Sequence, residues 1–160
     1  MRFRHEMPYD ASPAKVYAML ADPGFREASC KAQDVVSVDA SVTPTSTGMS
    51  VRIDQEQQTP GLPSFARKFI GATTHALQLE EWSDHRNATL EIRTSTPGTM
   101  KGSIVIEPVG KGAREVVELD ISVGLPLVGG KLEKLMADLV RRSIETEHRT
   151  GQAWLAGERA

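Results

Sequence analysis

The sequence predicts an α+β protein in which a curved antiparallel sheet of seven strands wraps around one long C-terminal helix. Three observations predict it. Apolar and polar residues alternate through most of residues 36–123, which is typical of strands with one wet face. Two proline-led helix starts follow the first alternating segment. The last segment contains no proline and has helical periodicity.

The first segment, Arg2 to Tyr9, alternates in the manner of a half-buried strand. Ser12 and Asp22 follow, and each precedes a proline. Because Ser and Asp cap helix N-termini and proline suits the first helical position, we expect two short helices between the first and second strands.

Six further strands are expected after these helices, since turn residues recur at short, regular intervals. They begin near Val36, Met49, Thr73, Ala88, Met100 and Val117. The remaining segment, from Lys131 to about Ala156, carries apolar residues at helical spacing. Its roughly 26 residues would form a helix of ~39 Å, which is long enough to cross the sheet.

The composition excludes several classes of protein. A chain of 160 residues fits one domain, 1–160. Cys30 is the single cysteine, so no internal disulfide is possible and a reducing cytoplasm is the simplest location. The net charge of -2 is spread without a basic stripe, which argues against nucleic-acid binding. No apolar run is long enough for a transmembrane segment. We expect a monomer or a weak homodimer.

The stretch YDASPAKVYAMLADPGF, Tyr9 to Phe25, resembles the opening of the START-like superfamily, also called SRPBCC, which includes birch-pollen-allergen-like and polyketide cyclase-like proteins. The order of elements resembles that superfamily throughout the chain. Gly61-Leu62-Pro63 and the Phe65–Trp82 stretch resemble an actinobacterial branch of unknown function. The resemblance implies a helix-grip fold with a deep cavity between sheet and helix. Relatives bind lipids, sterols, polyketides or hormones there, and a minority perform cyclase or dehydratase chemistry.

The residues on the apolar face of each alternating strand are the candidates for the sheet wall of this cavity. The alternative is that they simply fill a core. They are Met49, Val51, Ile53, Gln55, Leu77, Leu79, Leu90, Ile92, Met100, Ile104, Leu119 and Ile121. The helix contributes Met136 and Leu139, then the hydroxyl residues Ser143, Thr146 and Thr150. These hydroxyls predict a polar end that receives the polar group of an amphipathic ligand. The alternative is that this half of the helix passes beyond the sheet and is solvated.

Two segments are candidates for the cavity rim. Gln57 to Gly71 contains prolines and apolar residues, which indicates either a lid at the entrance or a short helix packed on the rim. Leu125 to Gly130 directly precedes the long helix and is the second candidate.

The sequence contains no convincing catalytic constellation, and we assign no catalytic residue, cofactor or metal. His5, His75, Gln55 and Glu147 are the plausible acids, bases or polar groups inside the cavity. Three hypotheses remain. The chain is a non-catalytic carrier or sensor of a small hydrophobic molecule, a cyclase- or dehydratase-type enzyme, or a protein-interaction module with a filled core.

Overall fold

The computed structural model describes residues 1–33 and 35–157, which form seven strands and three helices in the predicted order. The strands are β1 (Arg2–Tyr9), β2 (Val35–Pro44), β3 (Met49–Gln58), β4 (Thr73–Trp82), β5 (Asn87–Thr94), β6 (Thr99–Val109) and β7 (Gly112–Ser122). The helices are α1 (Pro13–Leu20), α2 (Pro23–Lys31) and α3 (Gly129–Leu155).

All seven strands form one antiparallel sheet in the order β1-β7-β6-β5-β4-β3-β2. The six strands β2 to β7 are a meander, and β1 joins its end beside β7. The sheet is curved, and close approach of strands requires Gly102 in β6, because a Cβ there would lie 1.8 Å from the carbonyl oxygen of Glu118 in β7. The predicted helix-grip architecture is therefore confirmed.

The two short helices begin as predicted. The Ser12 side chain accepts a hydrogen bond from the Lys15 backbone N–H at 3.3 Å, and Asp22 accepts one from Gly24 at 2.8 Å. Each cap satisfies one backbone donor that the first helical turn leaves without an intrahelical partner. These caps fix the start of α2, which carries the buried Arg26 toward the concave face of the sheet.

Helix α3 has 27 residues and lies closest to α1, α2, β1 and β7. A Cβ at Gly151 would lie 2.9 Å from the Tyr9 hydroxyl, so the helix and β1 approach closely at this point. Further along, the Trp154 ring packs edge-on against Phe25, with 5.6 Å between centroids. The C-terminal half of α3 is therefore packed rather than solvated, and the open space lies on its other side, toward β4, β5 and β6.

The prediction that Leu77 and Leu79 of β4 face the cavity is wrong. Leu77 and Leu79 are only half-buried and lie on the convex face, opposite the charged residues of the neighbouring strands. The concave face carries the alternate residues Ala76, Gln78 and Glu80. This register is fixed because Ala76 is the partner of Gln55, whose neighbours on the same face of β3 are buried. Two leucines are thus placed outward, where they cover the outer surface, and a carboxylate is placed inward.

The segment after β3 is a series of turns rather than a strand or a regular helix. Leu62, Ala66 and Ile70 are buried, so this segment packs on the rim through its apolar side chains. The Lys131 ammonium at the start of α3 lies 5.7 Å from the centre of the Phe65 ring. In the second rim segment, Leu127 is fully exposed and has a φ of 69°.

Candidate functional site

A cavity of about 90 Å³ lies between the concave face of the sheet and α3. One wall is apolar, and it is contributed by strands β5 to β7 and by the middle of α3. Its main members are Leu90, Ile92, Met100, Ile104, Val117, Met136, Leu139, Val140 and Ile144. The rim residue Ile70 closes the space from the side of the turns that follow β3.

Polar and acidic side chains also line the cavity, namely Gln55, Gln78, Glu80, Glu115 and Glu147, which come from β3, β4, β7 and α3. The three carboxyl groups act electrostatically on one another and define the polar end of the cavity. Strand curvature brings β4 and β7 to the same space although they are three strands apart in the sheet order. No Lys, Arg or His is among the described residues that line the cavity. The polar end therefore combines three carboxyl groups with no cation on its surface.

Glu80 is the one of these carboxylates that is fully paired. It is 0% exposed and accepts two hydrogen bonds of 2.8 Å from the guanidinium of Arg26, which is itself 2% exposed. The indole of Trp82 donates to it at 2.8 Å and the Gln78 amide at 2.6 Å. Burial alone would raise the pKa of Glu80, but the charge and hydrogen bonds of Arg26 outweigh it and hold that pKa below its usual range. Glu80 is therefore a structural anion.

Glu115 has no such compensation. It is 2% exposed, and its Oε2 atom has no hydrogen-bond partner among the described residues. Burial raises the pKa of Glu115 well above its usual range, and the nearby charge of Glu147 raises it further, while Arg26 opposes both effects. Burial therefore disfavours the ionised form of this carboxyl group, and one of its oxygens has no hydrogen-bond partner among the described residues.

Glu147 approaches the same space from α3. Its side chain is partly exposed, and burial raises its pKa to about 7, with Arg26 opposing and Glu80 adding to the shift. Two carboxyl groups that influence each other titrate as a pair, so the proton that they hold near neutral pH belongs to both. The pair can accept or release a proton within the physiological range.

Two further buried oxygen atoms have no hydrogen-bond partner among the described residues. One is Oε1 of Gln55, in a residue that is 6% exposed, and the other is the hydroxyl of Tyr9. Burial, with the nearby charges of Glu115 and Glu147, raises the pKa of Tyr9, so its hydroxyl stays protonated. Buried polar groups are almost always hydrogen-bonded in folded proteins, which makes these unpaired oxygens unusual.

Glutamine side chains close one edge of this cavity. Ser143 donates to Oε1 of Gln33 at 2.6 Å, Gln57 donates to the same oxygen at 3.3 Å, and Gln33 donates to the carbonyl of Ser29 at 3.1 Å. These bonds tie α3, β3 and the end of α2 together. The Ser143 hydroxyl, expected to meet a ligand, is thus engaged with the protein although its residue lines the cavity.

The structure brings eight of the candidate ligand-binding residues to the cavity surface. They are Gln55, Leu90, Ile92, Met100, Ile104, Met136, Leu139 and Ser143. Five others face the same interior but belong to its packed part, namely Met49, Val51, Ile53, Leu119 and Ile121. Leu77 and Leu79 lie on the other face of the sheet, as described above. Whether the eight contact a ligand remains a prediction.

The prediction that Thr146 and Thr150 form a polar patch at the cavity is wrong. Neither residue lines the cavity, and the Thr150 hydroxyl donates to the carbonyl of Thr146 at 2.9 Å within the helix. Close packing of Gly151 on Tyr9 fixes the rotation of α3, so that Val140, Ile144 and Glu147 face the cavity instead. One turn after Ser143, the polar residue of α3 that lines the cavity is therefore Glu147 rather than Thr146 or Thr150.

Of the four groups proposed as possible acids, bases or polar partners, two line the cavity. Gln55 and Glu147 do so, whereas His75 binds Asp54 on the convex face and His5 stacks on Phe3 outside the cavity lining. Glu115 and Glu80 were not among the candidates. Glu115 could have been predicted from the alternation of β7, because it lies two residues before Val117 and therefore on the same, apolar face of the strand.

The chain belongs to a family described as a protein of unknown function, DUF2505, whose model matches residues 4–155. None of the curated proteins matches it. Among solved structures, it resembles a START superfamily protein from Mycobacterium smegmatis, at 14% identity and a TM-score of 0.63 over 94% of this chain and 97% of that one. The Zhui aromatase/cyclase from Streptomyces sp. R1128 gives 11% identity and a TM-score of 0.67 over 96% and 92%.

A third similar structure, the protein TTHA0849 from Thermus thermophilus, has 20% identity and a TM-score of 0.69 over the full length of both chains. At these identities the likeness establishes the fold and leaves the ligand open. The predicted START-like fold is thereby confirmed, and the narrower actinobacterial branch stays a prediction. No described helix is long and apolar enough to cross a membrane. Within residues 1–33 and 35–157, no group of three acidic, His or Cys side chains is arranged to hold a metal.

Proposed function

We propose that this protein binds or carries a small amphipathic molecule in the sheet–helix cavity without changing it. The single observation that supports this most is the polarity of the cavity. Its apolar wall suits a hydrocarbon body, and the lining also contains Gln55 and Glu115, each of which has an unpaired buried oxygen. Ligand sites of proteins typically combine apolar walls with a few polar groups that fix orientation.

The volume limits the size of the ligand. About 90 Å³ of space corresponds to roughly six to nine water positions at 10–15 Å³ each. A compound of about ten non-hydrogen atoms is the natural size. Among the lipid, sterol and polyketide classes that the sequence suggests, this volume favours a small polyketide-like or short-chain compound. A sterol or a long lipid would require the turns after β3 to move away from Ile70.

The hypothesis of an interaction module with a filled core loses support, because the described residues leave an internal cavity. Large exposed apolar side chains are also scattered in the described chain, at Met1, Val36, Val109 and Leu127. Single exposed apolar residues are normal on protein surfaces and do not define a docking patch.

The methionines offer a direct test by NMR of ¹³C-methyl-labelled protein. Met7, Met100 and Met136 line the cavity, whereas Met1, Met19 and Met49 do not. Titration with 1-octanol, a neutral probe of suitable size, is expected to shift the first three methyl signals and leave the other three unchanged. Equal shifts at all six, or none at millimolar probe, would contradict binding in the cavity.

A matched pair of variants separates filling of the cavity from general damage. Ile104→Phe places a larger side chain in the cavity, and Leu79→Phe makes the same kind of change on the convex face. We expect the first to weaken octanol binding at least tenfold and the second to leave it within twofold. Equal affinity in both variants would place the probe elsewhere.

An enzyme of the cyclase or dehydratase type is the second candidate, and one observation favours it. Glu115 and Glu147 are carboxyl groups at the cavity with raised pKa values, which suits general acid–base catalysis near neutral pH. A ligand recovered from the purified protein and incubated with it would lose one water if this candidate holds. Recovery of the unchanged compound over many hours would favour carriage.

We further propose that the chain acts as a single domain in the cytoplasm, as a monomer or weak homodimer and without nucleic acid. The buried, unpaired Cys30 and the mixed surface charge support this expectation. Size-exclusion chromatography with light scattering would test the oligomeric state.

A further inference from the structure

The polar end of the cavity offers a buried hydrogen-bond acceptor that has no partner. Oε2 of Glu115 makes no hydrogen bond among the described residues, and Glu115 lines the cavity. The carboxyl groups of Glu80 and Glu147 also line the cavity and act electrostatically on Glu115. A ligand group that donates several hydrogen bonds would satisfy the unpaired oxygen.

The charges at the polar end of the cavity also favour a ligand group that donates hydrogen bonds and carries a positive charge. The groups that face Glu115 and Glu147 from the surrounding elements are Tyr9 in β1, Arg26 and Cys30 in α2, and Glu80 in β4. Arg26 is the one cation in this set, and its guanidinium is engaged by both oxygens of Glu80 and by the carbonyl of Leu20. The positive charge is thus already balanced by Glu80, and the other two carboxyl groups have no cation of their own.

We infer that the ligand carries an amine, bound as an ammonium group between Glu115 and Glu147, with an apolar body along the wall formed by Leu90, Ile104 and Met136. This inference rests on the proposed binding function and names the class of ligand for it. An ammonium group supplies three donors and the missing positive charge. Because burial and neighbouring carboxylates raise the pKa of both carboxyl groups, we expect binding of the cation to release a proton from the pair.

The test uses three probes of equal chain length, octan-1-amine, octan-1-ol and octanoate, with the methionine methyl signals as the readout at pH 7. We expect the amine to bind at least tenfold more tightly than the alcohol, and the carboxylate to bind more weakly than both. Calorimetry in buffers of different ionisation enthalpy should detect proton release with the amine and none with the alcohol.

Substitution of the carboxyl groups completes the test. The double variant Glu115→Gln, Glu147→Gln should bind the amine no more tightly than the alcohol. Glu118→Gln is the matched control, since Glu118 is on the same strand as Glu115 but binds Arg2 on the convex face. It should leave the preference for the amine unchanged.

The outcomes separate the two proposals. Alcohol binding without a preference for the amine would overturn the inference and leave the binding function intact. Tighter binding of octanoate than of the amine would also overturn it, because the carboxyl groups would then act as donors. If none of the three probes binds, both the proposed binding function and the inferred amine ligand are overturned.

Discussion

Glu80 and Glu115 are both glutamates, and both are almost completely buried. Both lie on the concave face of one sheet, on β4 and β7, and are 0% and 2% exposed. Glu80 receives hydrogen bonds from Arg26, Trp82 and Gln78. Glu115 retains an oxygen without a partner among the described residues.

The difference appears in the direction of the two pKa shifts. The pKa of Glu80 lies below its usual range and that of Glu115 well above it, although burial raises both. Burial of a carboxyl group therefore does not by itself reveal its role. A buried carboxylate with all its bonds made stabilises the fold, whereas one with an unmade bond at a cavity is available to a ligand or a proton.

Removal of Arg26 is expected to produce the largest effect on stability. Arg26→Met leaves Glu80 as a buried anion with only neutral donors, which should reduce the free energy of unfolding by about 3–5 kcal/mol at pH 7. Urea denaturation followed by circular dichroism measures this loss.

The double variant Arg26→Met, Glu80→Met is the control, because replacing a whole buried ion pair with apolar residues is often neutral. It should recover most of the lost stability, and it keeps the experiment informative if the single variant does not fold. A cost below about 1 kcal/mol for Arg26→Met would contradict the paired state of Glu80.

Because the pKa of Glu147 is raised and that of Glu80 is lowered, the two groups should change the stability in opposite directions as the pH rises. A carboxyl group with a raised folded-state pKa stabilises the folded protein below its unfolded pKa, and this contribution is lost as the pH rises through the folded pKa. For Glu147, whose pKa rises from 4.5 to about 7, we expect a loss of about 2 kcal/mol between pH 4.5 and 8, because solvent screens its partly exposed side chain. Glu80 contributes in the other direction, since its stabilisation is lost as the pH falls below about 4.5.

Urea denaturation at intervals from pH 3 to pH 8 measures this profile. The variants Glu115→Gln and Glu147→Gln should each flatten the alkaline side, while the exposed Glu81→Gln should keep the wild-type profile. Stability that increases from pH 5 to pH 8 in the wild-type protein would show that the pair is ionised without cost in the folded state.

The smallest effects are expected from removal of single polar groups beside each carboxyl. Gln78→Leu removes a hydrogen bond of 2.6 Å to the charged Glu80, which should cost about 1.5 kcal/mol. Tyr9→Phe removes a hydroxyl that has no partner among the described residues, so stability should change by less than about 0.5 kcal/mol. Thermal unfolding of both variants at pH 7 makes the comparison. A larger cost for Tyr9→Phe would indicate that its hydroxyl binds Glu115 in solution.

Local signals in the sequence predicted the elements of the fold and their order. Proline-led caps at Ser12 and Asp22 set the short helices, the two-residue period set the strands, and the proline-free stretch after Gly130 set the long helix. These signals are local, because capping, alternation and helical spacing act over a few residues. The apolar wall at Leu90, Ile92, Met100 and Ile104 followed from the same alternation.

The polar residues that meet at the cavity could not be predicted in this way, because their contacts depend on strand register and helix packing. In β4, apolar residues occur on both faces, so alternation alone placed Leu77 and Leu79 inward, and the register with β3 placed Glu80 there instead. The rotation of α3 likewise depends on its contact between Gly151 and Tyr9, which turns Glu147 inward and Thr146 away. Residues 26, 80, 115 and 147 come together because sheet curvature and helix packing act over the whole chain, and no short-range pattern records those distances.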